Sequence, residues 1–144
     1  MTINQLSIFI ENRSGTLIKV LEVLKQSGIQ IIASTIADTA EYGIYRLICS
    51  EPTRAYQELK NAGVAVALSD VFALKLDNEP GKAADAVRII SDADISITYM
   101  YTFLWGGKGI LIFRTDQTEK AREVILRNEL SFIAEKDLVG RGES

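Results

Sequence analysis

The sequence predicts an α+β protein made of two copies of one βαββαβ module, because the chain repeats itself and strand and helix periods alternate within each copy. The segment Glu11-Asn12-Arg13-Ser14-Gly15 has a counterpart in Asp77-Asn78-Glu79-Pro80-Gly81. The register between them, 66 residues from Gly15 to Gly81, holds across six elements, so we infer a duplication whose copies cover residues 1–69 and 70–144 without a linker. Without a gap it aligns Leu6, Ile8 and Ile10 with Phe72, Leu74 and Leu76, Ile29 and Ile31 with Ile95 and Ile97, Gly43-Ile44 with Gly109-Ile110, and Ala55 and Leu59 with Ala121 and Ile125.

In the first copy, apolar residues alternate in strands and recur every three or four residues in helices. Alternation from Leu6 to Ile10 predicts a strand, and positions 17, 20, 21 and 24 form one apolar face of a helix. Gly28 and Gly63 follow the two predicted helices as stop signals, and Pro52 opens the second helix. Further strands are predicted at 29–37, 43–50 and 64–68.

The second copy repeats this order. Strands are predicted at 71–76, 95–104, 109–115 and 130–135, and residues 140–144 are predicted to form a frayed tail. The order β-α-β-β-α-β is that of the ferredoxin-like arrangement, in which right-handed crossovers place both helices on one face of an antiparallel sheet. The other face also needs cover, because residues 29–37 are apolar on both sides, and either the other copy or a second chain is expected to supply it. The apolar faces of the two helices are Ala83, Ala86, Val87 and Ile90, and Ala121, Val124 and Ile125.

Composition excludes several classes of function. The chain is 47% hydrophobic, so it can form a core, and its net charge of −3 argues against a protein that reads the nucleic-acid backbone. It contains no histidine, which excludes Ser-His-Asp triads, and the single cysteine, Cys49, allows no intramolecular disulfide and is expected to be a buried apolar residue. No apolar run approaches the roughly 20 residues of a membrane span, and residues 1–5 lack the pattern of a signal peptide. We therefore expect a cytoplasmic protein with no cofactor and no membrane partner.

Because one topology serves several functions, the residues must discriminate among them. RNA binding would need aromatic residues on the first and third strands and a basic surface, and soft-metal transport would need two thiolates in the first loop. We reject both functions because the chain is acidic and has a single cysteine. An enzyme would have to use Glu11, Arg13, Lys19 or Asp77, which lie near strand ends. No acid–base pair emerges from these four residues, so catalysis is not expected.

The loops after the first strand of each copy indicate a family. Asn12-Arg13-Ser14-Gly15-Thr16-Leu17 and Asn78-Glu79-Pro80-Gly81-Lys82-Ala83 resemble the Asp/Asn-x-Pro-Gly-x-Leu loop of ACT domains. Gly28-Ile29-Gln30-Ile31 resembles the Gly-Ile-Asn-Ile sequence with which that family opens its second strand. The resemblance covers nearly the whole chain, twice. It implies a regulatory protein that binds a free amino acid where two ACT domains meet, without catalytic activity.

Elementary chemistry supports a carboxylate site at such a loop. Gly15 has no Cβ, so a ligand can approach the backbone, and the start of the following helix presents unpaired N–H groups. Gln30 or Ser96, with nearby carbonyls of the second strand, could accept the ligand's ammonium group. The alternative is a tight turn capped by Asn12 or Asn78, with no ligand. The candidate ligand-binding residues are Asn12, Arg13, Ser14, Gly15, Thr16, Leu17, Gln30, Ile31, Asn78, Glu79, Pro80, Gly81, Lys82 and Ser96.

The two copies depart from the family pattern in different ways. In the first copy, Ser14 stands where the family has proline. The second copy has Asp94 at the position of Gly28, and it has Ser96, with its short side chain, where the family's Gly-Ile-Asn-Ile sequence has asparagine. Unequal sites are therefore expected, with the first favoured. Trp105-Gly106-Gly107-Lys108-Gly109 lacks P-loop spacing and predicts a hairpin turn.

Open strand edges make a homodimer the expected assembly, and the aromatic residues around the second copy's second strand, Tyr99, Tyr101, Phe103 and Trp105, are expected in a core or interface. The alternative function is a ligand-free interaction module or a regulatory subunit of an amino-acid biosynthetic enzyme, resembling the small subunit of acetohydroxyacid synthase.

Overall fold

The structure, a computed structural model, describes residues 1–11, 15–38 and 42–139. It has the ferredoxin-like α+β fold that the sequence predicted, with antiparallel strands and the βαββαβ order repeated. The tail predicted at 140–144 lies outside the described residues, as do residues 39–41 between two of the predicted strands. The elements are β1 (Ile3–Glu11), α1 (Thr16–Gln26), β2 (Ile31–Asp38), β3 (Tyr42–Cys49), α2 (Pro52–Asn61), β4 (Val66–Leu76), α3 (Lys82–Asp92), β5 (Tyr99–Trp105), β6 (Lys108–Arg114), α4 (Thr118–Arg127) and α5 (Glu135–Val139).

The chain divides into two compact units that β4 joins. The first unit comprises Asn4–Ser69 with residues 136–139, and the second comprises Met1–Ile3 with Asp70–Glu135. The two strands predicted at 64–68 and 71–76 are in fact one continuous strand, Val66–Leu76. The physical reason is that Ser69-Asp70 contains neither glycine nor proline, so nothing there forces a turn.

The first unit packs α1 and α2 against one face of an antiparallel sheet. β1 pairs with β3 from Leu6↔Leu47 to Glu11↔Tyr42, and β2 pairs with the other side of β3. Alternate residues of β1 face the helices, as the sequence predicted. The buried cluster consists of Leu6, Ile8, Ile10, Val20, Leu24, Ile29, Tyr45, Leu47, Cys49, Ala55 and Leu59.

The second unit repeats this packing with α3 and α4. β4 pairs with β6 from Phe72↔Phe113 to Leu76↔Gly109, and β5 pairs with the other side of β6. The rings of Phe72 and Phe113 stack with centroids 5.2 Å apart. The buried cluster consists of Phe72, Leu74, Ala86, Ile90, Ile95, Leu111, Phe113, Ala121, Val124 and Ile125.

Two predicted strands of the second copy are shorter than expected. The last one, at 130–135, is reduced to a single bridge between Leu74 and Phe132, and α5 begins at Glu135. The second, predicted from residue 95, begins at Tyr99. Its first residues are held by a side chain instead of a strand ladder, because the Ser96 N–H donates to Oε1 of Gln117 at 2.8 Å.

Helices α1 to α4 end with the same arrangement of hydrogen bonds. In α2, the N–H of Val64 donates to the carbonyl of Leu59 and the N–H of Gly63 donates to that of Lys60, which is a Schellman motif. In each motif one residue takes a positive φ. The angle is 69° at Gly28 after α1, 82° at Gly63 after α2, 58° at Asp94 after α3 and 52° at Glu129 after α4. These four residues are related by the repeat register, so the duplication preserves backbone conformation even where glycine is replaced.

The hairpin between β5 and β6 has a two-residue turn. Trp105 pairs with Lys108, and Gly106 and Gly107 have φ of 60° and 79°. Positive φ at both central residues is characteristic of a type I′ turn, whose twist matches that of the flanking strands. The glycine-rich segment is therefore a hairpin turn, as predicted. None of the described helices is long and apolar enough to span a membrane.

Candidate functional site

A cavity of about 590 Å³ lies at the strand-to-helix loop of the first unit. It is formed by the end of β1, the start of α1, the start of β3 and the segment that leads into β4. A volume of this size falls within the range of roughly 300–1,000 Å³ that is typical of small-molecule sites. The lining residues are Phe9, Ile10, Glu11, Gly15, Thr16, Lys19, Tyr42, Gly63, Val64 and Ala65.

The start of α1 gives this cavity an electropositive wall. Gly15, the residue before α1, takes φ 105° and has no side chain that could cap the helix. The first turn contains no acidic residue, and Lys19 lines the cavity close to it. Amide N–H groups of a first helical turn lack intrahelical partners and carry the positive end of the helix dipole. Together these groups suit a ligand carboxylate.

β1 and β3 contribute a carboxylate and two aromatic rings to the same cavity. Glu11 pairs in register with Tyr42, so both lie at the same end of the sheet. The rings of Phe9 and Tyr42 are tilted at 52° with centroids 6.4 Å apart. The two residues are 49% and 44% exposed, which is high for large apolar rings.

In the second unit, the corresponding loop lies beside a smaller cavity of about 350 Å³. Gly81 takes φ 87° at the start of α3, again with no side-chain cap. Pro80 is exposed, and Lys82 lies 3.9 Å from the carboxylate of Glu79. The residues around this cavity include Asp77, Asn78, Glu79, Lys82, Thr102 and Leu104.

A third cavity, of about 540 Å³, was not predicted from the sequence. It is the repeat counterpart of the first cavity, because Leu76, Asp77, Lys108 and residues 129–131 stand 66 positions after lining residues of the first. Only the repeat register, applied to strand ends instead of loop motifs, could have revealed it. It is lined by Lys75, Leu76, Asp77, Lys108, Ile125, Leu126, Glu129, Leu130, Ser131 and Phe132.

An ion pair distinguishes this third cavity from the first. Nζ of Lys108 lies 2.7 Å from Oδ1 of Asp77. The hydrogen bond and the charge of Lys108 lower the pKa of Asp77, and the same contact raises the pKa of Lys108. Both side chains are about half exposed, so solvent screens the pair and its contribution to stability is small.

The structure brings together only part of the predicted site. Gly15 and Thr16 line the first cavity, whereas Leu17 packs partly against the core and Asn12, Arg13 and Ser14 lie outside the described residues. In the second copy, Asn78, Glu79 and Lys82 lie together around the smaller cavity.

Gln30 and Ile31 lie at the far end of their sheet from the loop. Ile31 pairs with Cys49, whereas the loop follows the Glu11↔Tyr42 end. The N–H of Gln30 donates to Oγ of Ser50 at 3.0 Å. Ser96 is placed in the same way in the second unit, where its carbonyl accepts a hydrogen bond from Oγ1 of Thr115 at 2.8 Å. Within a unit, neither residue can reach a ligand in the loop cavity, because a strand of seven or eight residues separates them by roughly 20–25 Å.

The family assignment follows from the whole length of the chain. A family model described as an ACT domain pair matches residues 1–141. The chain belongs to this family. No curated protein matches it in sequence.

Among solved structures, protein BT0572 from Bacteroides thetaiotaomicron is similar to this ACT pair over 97% of each chain, with 36% identity and a TM-score of 0.91. The ligand-free regulatory subunit of aspartate kinase from Thermus thermophilus shares the fold, with 14% identity, a TM-score of 0.60, and coverage of 86% of this chain and 91% of that one. The corresponding subunit from Thermus flavus gives 15% identity and a TM-score of 0.56 over 86% and 90% of the two chains.

Proposed function

We propose that this ACT pair is a cytoplasmic regulatory protein that binds a free α-amino acid in the first cavity and has no catalytic activity of its own. The observation that carries the proposal is the distribution of charge around that cavity. The start of α1 and Lys19 line the cavity, as does Glu11 at the end of β1. A zwitterion has one group for each: its carboxylate suits the helix start and its ammonium group suits Glu11.

The regulatory role is proposed on the same grounds. A protein that binds an amino acid without transforming it can act only by a change of state or by a partner's response. The Thermus thermophilus protein of the same fold is a regulatory subunit of aspartate kinase, and we propose a partner of comparable kind, an amino-acid biosynthetic enzyme, for this chain.

The direct test is a thermal-shift screen of the purified chain against the twenty amino acids at millimolar concentration. A ligand at 100 times its dissociation constant stabilises the folded state by roughly 2.7 kcal/mol. We expect one amino acid, or a few of related chemistry, to raise the midpoint by several degrees, since about 1 kcal/mol moves the midpoint of a domain this size by 2–8 °C.

The matched control is the same amino acid with both α-groups blocked, as the N-acetyl amide. It keeps the side chain but loses both charges, so it should give no shift. An equal shift with the blocked compound would show that the α-groups are not recognised, and no shift with any amino acid would refute the proposed function.

A specific observation also favours self-association. Among the described strands, β2 pairs only with β3 and β5 only with β6, so each has an outer edge. Ile36 on β2 is 48% exposed, and Leu104 on β5 is 64% exposed. Because open edges with apolar side chains tend to pair with another chain, we propose a homodimer through one of these strands. Light scattering should give twice the 15.9 kDa of one chain, and the mass of a single chain would exclude the dimer.

A further inference from the structure

The first cavity and its repeat counterpart differ in chemistry at two matched positions. The repeat register pairs Phe9 with Lys75 and Tyr42 with Lys108, and all four residues line their cavities. Nearby positions keep their character, since Ile10 corresponds to Leu76 and Glu11 to Asp77. The two cavities therefore share an aliphatic residue and a carboxylate at matched positions, but the first has two aromatic rings where the second has two lysines.

The aromatic pair in the first cavity has much surface to cover. Phe9 and Tyr42 stand next to each other with about half of each side chain exposed. Burying aromatic surface is favourable in proportion to its area, and a third ring placed edge-on or offset against such a pair adds a geometric preference. Ile10 and Val64 extend the apolar lining.

The polar groups of the cavity fix which part of a ligand meets these rings. The start of α1, Lys19 and Glu11 are engaged by the two α-groups in the proposed function, so the rings of Phe9 and Tyr42 and the side chain of Val64 remain for the ligand's side chain. We infer that the first cavity selects an amino acid with an aromatic side chain. This inference rests on the proposed function and specifies its ligand class.

The counterpart cavity cannot share that preference. Lys75 and Lys108 replace the rings, and Lys108 is held by Asp77 at 2.7 Å. An aromatic side chain lying there would find no aromatic partner and would have to remove the Lys108–Asp77 ion pair from water, which is unfavourable. The chain therefore binds one aromatic amino acid, in its first unit.

Calorimetric titration of the intact chain tests both the class and the number. Phenylalanine, tyrosine and tryptophan are the probes, and alanine, serine, aspartate and lysine are the comparison set. We expect the best aromatic ligand to bind at least about 10-fold more tightly than alanine, since even one methylene in an apolar pocket can be worth 10-fold or more. We expect one equivalent of aromatic ligand per chain.

The inference would be overturned if alanine or a charged amino acid bound as tightly, or if two aromatic equivalents bound per chain, and the proposed function would then still stand. No binding by any amino acid would overturn both.

Variants locate the preference. Phe9→Lys and Tyr42→Lys place in the first cavity the residues that the second unit already carries at the same positions, so both variants are expected to fold. Each should weaken aromatic binding about 10-fold or more and reduce the preference over alanine.

The matched control is Leu68→Lys, which introduces the same charge at an exposed apolar residue of the first unit outside the cavity and should bind as the parent does. Circular dichroism checks folding. If one variant fails to fold, the other and the ligand series on the parent chain still decide, and an unchanged preference in a folded variant refutes the inference.

Discussion

Gly15→Val is expected to abolish the thermal shift caused by the amino-acid ligand while the chain still folds. Gly15 takes φ 105°, a conformation that a β-branched residue adopts only at a cost of about 1–3 kcal/mol. A Cβ at this position would meet no atom of the described residues within 4 Å, so the change does not disrupt their packing. It either fills the mouth of the cavity or turns the loop away from the start of α1, and both outcomes remove the carboxylate site.

Gly28→Val is the matched control, because it separates strain from ligand contact. Gly28 has φ 69° and equally open surroundings, but it ends α1 instead of beginning it and lines none of the cavities described above. We expect a loss of stability of similar size in the two variants, measured by chemical denaturation, and normal binding in Gly28→Val. Gly81→Val should also bind normally, since its loop borders the smaller cavity of the second unit. Normal binding by folded Gly15→Val and Gly81→Val alike would place the site elsewhere.

The repeat register predicted more of this molecule than any single motif did. It assigned Leu6, Ile8, Phe72 and Leu74 to equivalent core positions, and all four are buried. The reason is physical: side-chain direction in a strand has a period of two, so an ungapped repeat must preserve which face is buried. The same register extends to backbone conformation, where Asp94 keeps the positive φ of Gly28.

What the sequence could not predict depends on pairing between distant residues. The motif around Gln30 does not say where this residue lies relative to the loop of its own copy, and strand register places it at the other end of the sheet, next to Ser50. Register is fixed by turns and by cross-strand packing, which a local motif does not contain. Similarly, the lysines that occupy the counterpart cavity came from β4 and β6, 33 residues apart from Lys75 to Lys108, and only the fold brings them together.

A substitution in the core of the second unit has the largest expected effect on stability. Leu74→Ala should lower the free energy of unfolding by about 3 kcal/mol, within the usual range of 2–5 for a buried leucine. Leu74 is 1% exposed, pairs with Leu111 across β6 and joins the buried cluster that α3 and α4 cover. Its removal leaves a cavity that the stacked rings of Phe72 and Phe113 cannot easily fill, because stacking fixes their positions.

Leu104→Ala removes the same atoms from the same unit at a position that is 64% exposed. It should cost less than about 1 kcal/mol, since surface substitutions seldom exceed that value. Urea denaturation of both variants measures the difference. Because the two changes are chemically identical, a difference of about 2 kcal/mol isolates the effect of burial, and equal losses would mean that the helices do not cover Leu74. Leu104→Ala also tests the assembly. If Leu104 lies in a dimer interface, its removal should raise the dissociation constant of the dimer while leaving the unfolding of the isolated chain nearly unchanged.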